Sequence, residues 1–203
     1  KCFSKLLNHL LPEDEIMTKL YDNEMQTLEI YGFGIKGFVL SMIDTASQIM
    51  GSSLNQSTVD KILTIGKEML DKPVELLEGV KKTLEALMGK YRLILVTKGD
   101  LLDQERKLEK SGLTHFFHHV EVMSNKHKKD YQKLIRQLDI QPEEFLMIGN
   151  SLKSDILPVR ELGAQAIYVP YEVTWQHETV ASSDLDKVEY TTVSKISDVL
   201  NIL

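Results

Sequence analysis

Apolar residues fall in two rhythms along the chain. Up to about Lys72 they recur three and four apart, as on one face of a helix. Phe38, Val39, Met42, Ile43, Ala46 and Ile49-Met50 form the clearest set, and Ile62, Ile65, Met69 and Leu70 repeat it. A cap at Ser57 or Thr58 is expected to open the second of these helices. Pro12 followed by Glu13-Asp14-Glu15 has the proline and the acids of a first helical turn. Lys1 to Leu7 reads as helix interior, and this half contains no convincing strand.

The second half alternates. Short continuous apolar runs at Leu93–Val96, Val120–Met123, Phe145–Ile148 and Ala166–Val169 are separated by helical stretches at Leu101–Ser111, at Tyr131–Leu138, and from Ile148 to near Gly163. Strands of about four apolar residues separated by helices predict a parallel sheet of βαβ units, buried on both faces. Such a sheet binds its ligand at the carboxyl ends of its strands. It also needs a first strand, and no good one precedes residue 90, so that strand is expected upstream of Lys1. The boundary between the halves falls near Pro73, where 72–79 reads as an extended linker into a helix from Val80 to Met88. The expected domains are therefore a helical one over 1–72 and an α/β one over 73–203.

Composition narrows the function. The 203 residues hold 24 Lys plus Arg against 30 Asp plus Glu, a net charge of −6. That acidic balance argues against nucleic acid as the main partner. No apolar run reaches the roughly 18 residues of a membrane helix, so no membrane partner is expected. The single cysteine, Cys2, cannot form an internal disulfide, which fits a cytoplasmic protein.

The chemistry is therefore sought just after the apolar runs. Thr97-Lys98-Gly99-Asp100 follows the first: a hydroxyl, a glycine and a helix start suit an anion, although Asp100 as an ordinary helix cap accounts for the same residues. After the second run, Lys126, Lys128 and Lys129 form either a solvated basic patch or the source of one phosphate-neutralising ammonium. Gly149-Asn150-Ser151-Leu152-Lys153-Ser154-Asp155 follows the third, with oxygen donors suited to a hard cation such as Mg²⁺, or with a plain Ser or Asp cap. Each is weak alone, but one crevice would gather all three.

In this order, and with Gly163 closing the last helix, these segments resemble the haloacid dehalogenase-like (HAD) hydrolases over roughly residues 73 to 175. The resemblance implies a Rossmann-like parallel core with an all-helical cap domain over 1–72. It implies a Mg²⁺-dependent phosphatase acting on a small phosphorylated metabolite through an aspartyl-phosphate intermediate. Thr97 then binds a phosphoryl oxygen, with Lys98 and Gly99 beside it, and Lys126 pairs with the phosphoryl group, Lys128 being the rival. Asn150 and Asp155 take the metal-binding positions. The family's nucleophile lies in a D-x-D motif on the first core strand, and that strand with its motif is expected before Lys1. Asn150 stands where aspartate is commoner. That removes one charge, and at an effective dielectric of about 20 a unit pair at about 4 Å is worth about 4 kcal/mol. Either metal binding is weaker or Asp155 carries more of it. The rival readings are an inactive HAD-like protein that binds phosphate or a partner, and a dehalogenase.

Other signals carry less. Gly32-Phe33-Gly34-Ile35-Lys36-Gly37 fits G-x-G-x-x-G, but a dinucleotide site needs a strand before it and Met25–Ile30 reads helical. A glycine turn between two helices is the better reading, with Phe33 and Lys36 as candidates for substrate specificity. His118 and His119 point to opposite faces of a strand and cannot readily share a metal. Trp175 and Tyr171 are read as packing.

Overall fold

The structure is a computed structural model that describes residues 2–171 and 188–203. Trp175 lies outside the described residues. The elements in chain order are α1 (Cys2–Leu7), α2 (Glu13–Tyr31), α3 (Ile35–Met50), α4 (Gln56–Asp71), α5 (Val80–Leu87), β1 (Ile94–Lys98), α6 (Leu101–Ser111), β2 (His119–Met123), α7 (Lys128–Leu138), β3 (Leu146–Gly149), α8 (Leu157–Arg160), β4 (Gln165–Tyr168) and β5 (Thr191–Thr192). They fall into two compact units, one of residues up to Val74 together with Lys98–Lys110, the other of Glu75–Thr97 and Ser111–Leu203.

The first unit is built on helices whose apolar stripes meet. Phe3, Leu7, Ile16, Leu20, Met42, Ala46 and Ile62 form its core. A buried polar contact sets the register of α2 on α3: the Asn23 side-chain amide donates to the Ser41 carbonyl at 3.0 Å and to Thr45 Oγ1 at 3.2 Å. Gly66 on α4 lies against Val39, where a Cβ would collide with the valine methyl. The cap of α4 is Asn55, whose Oδ1 accepts the Thr58 N–H at 3.1 Å, and not Ser57 or Thr58. Those two residues sit inside the first turn, where Thr58 supplies a backbone N–H that needs a cap and Asn55 supplies the accepting oxygen.

The second unit is α/β. β3 and β4 pair in parallel with Leu146 opposite Gln165 and Gly149 opposite Tyr168. β5, which the apolar pattern does not reveal, pairs in parallel with β4. β1 and β2 form a separate hydrogen-bonded pair. No described strand bonds β1 to β3, so the four expected strands stand in two groups. Met123, Tyr131, Leu134, Ile135, Leu138, Phe145, Met147, Val159 and Ala164 form one core, with Ile94 and Val96 of β1 packed on it. The helix expected between Ile148 and Gly163 spans 152–160: it opens with a wide turn of π-helix, Leu152–Ile156, that runs directly into the short α8, which has Pro158 in its first turn. Among the described residues, no helix is long and apolar enough to cross a membrane.

Candidate active site

Helix α7 explains how a lysine reaches the end of β3. Its buried residues Tyr131, Leu134, Ile135 and Leu138 recur at helical spacing and seat one face on the core. Asp130 Oδ2 accepts the His127 N–H at 2.9 Å, which starts the helix at Lys128 and leaves Lys126 in the preceding extended segment. The Tyr131 hydroxyl is fully buried and donates to the Ser154 carbonyl at 2.9 Å. This bond ties the helix to the loop after β3. Lys126 Nζ then sits 2.8 Å from Asp155 Oδ1, the two side chains being 10% and 5% exposed. Lys128, by contrast, is half exposed and stands 3.7 Å from Glu161.

Asp155 is held from the other side as well. Its Oδ2 accepts the Ser151 N–H at 3.0 Å, and Ser151 Oγ accepts the Ser154 N–H at 2.9 Å. The π-turn widens the backbone so that Asp155 folds back over the end of β3, a placement common at functional sites. Gly149 is the floor beneath it. A Cβ at 149 would overlap the Asp155 Cβ and carboxylate. Gly149 thus has a steric reason to be glycine that a motif pattern does not state. Asn150, next in the chain, is exposed in the bend after β3. Thr97 is half-buried near the end of β1.

The donor set fits only part of a Mg²⁺ shell. Asn150 and Asp155 offer oxygens, Mg²⁺ ordinarily keeps several waters and takes one or two carboxylates, and no group of three His, Cys, Asp or Glu residues that could hold a metal is found among the described residues. His118 and His119 are engaged separately: His118 Nδ1 accepts the Leu93 N–H at 3.2 Å, and His119 Nε2 lies 2.9 Å from Glu121 Oε2.

In the first unit, the glycine turn meets the loop that follows β1. The preceding segment is α2, a helix, so the dinucleotide fingerprint has no strand to stand on. Lys98 Nζ lies 4.0 Å from the centroid of the Phe33 ring, a cation–π contact. Lys36 Nζ is 2.8 Å from Asp100 Oδ1. Gly34, at φ +134°, passes so close to Asp100 that a Cβ there would stand 3.2 Å from the Asp100 Cβ. Asp100 also caps α6, its Oδ1 accepting the Asp103 N–H at 3.2 Å. Sequence reasoning placed Phe33, Lys36, Lys98, Gly99 and Asp100 in different roles, and it missed this convergence because Lys36 and Asp100 are 64 positions apart.

The hydrogen bond from Lys36 holds the Asp100 carboxyl below its ordinary value, with burial opposing. A depressed carboxylate gives stability that is complete above the unfolded-state value and lost as pH falls through the lowered one. Lys36→Met is therefore expected to lower the thermal midpoint slightly at neutral pH and to flatten the acid limb, the two proteins converging once Asp100 is protonated in both. Midpoints recorded across that range check it. Parallel curves would mean the pair contributes nothing.

Comparison with known proteins follows the same lines. A family model described as haloacid dehalogenase-like hydrolase matches residues 9–169. A solved haloacid dehalogenase-like family hydrolase from Xanthomonas campestris superposes with a TM-score of 0.83 at 35% identity, over 97% of this chain and 77% of that one. The pyrophosphatase PpaX of Bacillus mycoides is 29% identical over 81% of this chain and 79% of its own length. The glyceraldehyde 3-phosphate phosphatase of Pyrococcus furiosus is 28% identical over 62% of this chain, and the chain spans about half of that relative, 53% of its length.

Proposed function

The chain belongs to the haloacid dehalogenase-like hydrolases, and from that premise we propose that it is part of a Mg²⁺-dependent phosphatase acting on a small phosphorylated metabolite. The observation that carries this reading is the buried pair of Lys126 and Asp155 beyond the end of β3. A lysine kept out of water beside a carboxylate, next to a strand-end loop of oxygen donors, suits a site that neutralises phosphoryl charge. Relatives named for phosphate and pyrophosphate hydrolysis support phosphorus over carbon–halogen chemistry.

Phosphoryl transfer depends mainly on positioning and charge neutralisation. In this reading the Thr97 hydroxyl donates to a phosphoryl oxygen, the Gly99 backbone lines the same loop, and Lys126 neutralises a second oxygen. Lys98 serves from the same loop while Phe33 holds its ammonium. The short, buried contact to Asp155 favours Lys126 over Lys128 for this role. Asn150 and Asp155 would hold Mg²⁺, which when bound withdraws charge from the phosphoryl group. The nucleophile in this reading is the aspartate of the family's D-x-D motif. Its carboxylate displaces the alcohol from phosphorus, a second aspartate protonates the departing oxygen, and water then releases phosphate from the aspartyl-phosphate. Residues 1–72 act as the cap, 73–203 as the core, Phe33 and Lys36 contribute to substrate choice, and the location is cytoplasmic.

Thr97→Ala tests the site. It is expected to lower kcat for phosphate release from an aryl phosphate by about two orders of magnitude, as for loss of one preorganised donor. A rate within about twofold of the parent would remove Thr97 from the site. Halide release from 2-chloropropionate, run beside it, is expected to be nil, and turnover there would move the reading to a dehalogenase.

A further inference from the structure

We infer that Asp103 is a recognition site for a primary ammonium group carried by a small molecule. Asp103 lies on α6 within the first unit and is only 2% exposed. Both of its carboxylate oxygens are buried without a hydrogen-bond partner among the described residues. Burying an ionised carboxylate with no donor is costly, and each such group in a native protein asks for a use. The neighbouring charges do not supply the partner. The Lys36 ammonium lies on Asp100 Oδ1, and the Asp103 N–H donates to that same oxygen. Lys36 thus serves Asp100, and the two Asp103 oxygens stay without a hydrogen-bond donor among the described residues.

The carboxylate faces the bare Cα of Gly34. Its Oδ2 is 3.6 Å from the place a Cβ on that residue would take. The cover over Asp103 is therefore a turn with glycines at 32 and 34, both at positive φ. It is tied to the α6 loop through Lys36, whose side chain is 54% exposed. Exposed ion pairs of this kind hold weakly, and the turn's other contact with that loop is the Phe33 ring on the Lys98 ammonium, so an entering cation competes with these contacts. The group that answers a buried carboxyl with two unpartnered oxygens is a compact cation with several N–H donors. An ammonium meets both needs, whereas a hydroxyl meets only one.

Titration of the full-length protein with n-propylammonium chloride, followed by the amide resonances of Gly34 and Gly99, tests the inference without using turnover. The expected result is a saturable shift with a millimolar Kd, absent with n-propanol and absent with potassium chloride. In Asp103→Asn the saturation is lost, and the thermal midpoint rises by about 2–4 °C because a buried carboxyl without a hydrogen-bond donor is gone. The same shift with potassium chloride would assign the site to a bare ion and overturn the ammonium. No saturation, or saturation that survives Asp103→Asn, would overturn the site altogether. A fall in the midpoint would show that Asp103 serves the fold. Because the readout is binding, inactivity toward phosphate esters would leave this result standing and count against the phosphatase reading alone.

Discussion

Lys126→Ala is expected to abolish almost all turnover and to cost about 3–5 kcal/mol of stability, since it strands Asp155 as an unpaired buried carboxylate. The loss in kcat is about two orders of magnitude or more, the size seen when a charge-stabilising contact is removed from a transition state. Both effects come from one distance, the 2.8 Å between Nζ and Oδ1, so they need separating. Adding Asp155→Asn to a Lys126→Met background removes both charges. That double variant is expected to recover most of the lost stability and none of the activity. Urea unfolding gives the first number and steady-state kinetics the second. A Lys126→Ala protein as stable as the parent would mean that Asp155 finds another donor, and that the pair is not the organising contact of the loop.

Gly149→Ala is the second large effect, and the smaller chemical change. One methyl group at the end of β3 would occupy the space of the Asp155 side chain. The π-turn has little room to retreat, because Ser154 and Asp155 are both buried and the Ser154 carbonyl is tied to Tyr131. Overpacking of this kind costs about 1–3 kcal/mol. The functional cost is expected to be larger, since displacing Asp155 moves Lys126 and one of the two proposed Mg²⁺ donors together. Activity should fall by at least about tenfold, with a higher Mg²⁺ requirement. A Gly149→Ala enzyme with the parent's Mg²⁺ dependence would show that Asp155 does not reach the metal.

The two rhythms of the chain made much of this fold legible. Leu93–Val96 and Phe145–Ile148 announced β1 and β3 to within a residue or two as short continuous apolar runs, although β1 is only partly buried throughout and Met147 alone is fully buried in β3. The stripe from Phe38 to Met50 announced α3 by its helical spacing. What failed to show were features decided at a distance. Lys126 and Lys128 look alike in a basic run, and only a carboxylate 29 positions away separates them. The two-residue β5 is too short to leave a pattern. The π-helical opening of that helix, which carries Asp155 over Gly149, is encoded by no periodicity. Asp103 sat unnoticed in a polar stretch of α6, where an acid early in a helix is ordinary. Only its burial, with both oxygens unpartnered, sets it apart.

Phosphate release by the full-length protein from an aryl phosphate, measured in parallel with Mg²⁺ and with excess EDTA, is the most direct test. A phosphatase built on Thr97, Lys126, Asn150 and Asp155 requires turnover with Mg²⁺, its loss in EDTA and its return when the metal is restored. Turnover unaffected by EDTA would contradict the metal role of Asn150 and Asp155. No release from any phosphate ester in the presence of Mg²⁺ would contradict the phosphatase itself and leave a phosphate-binding member of the family.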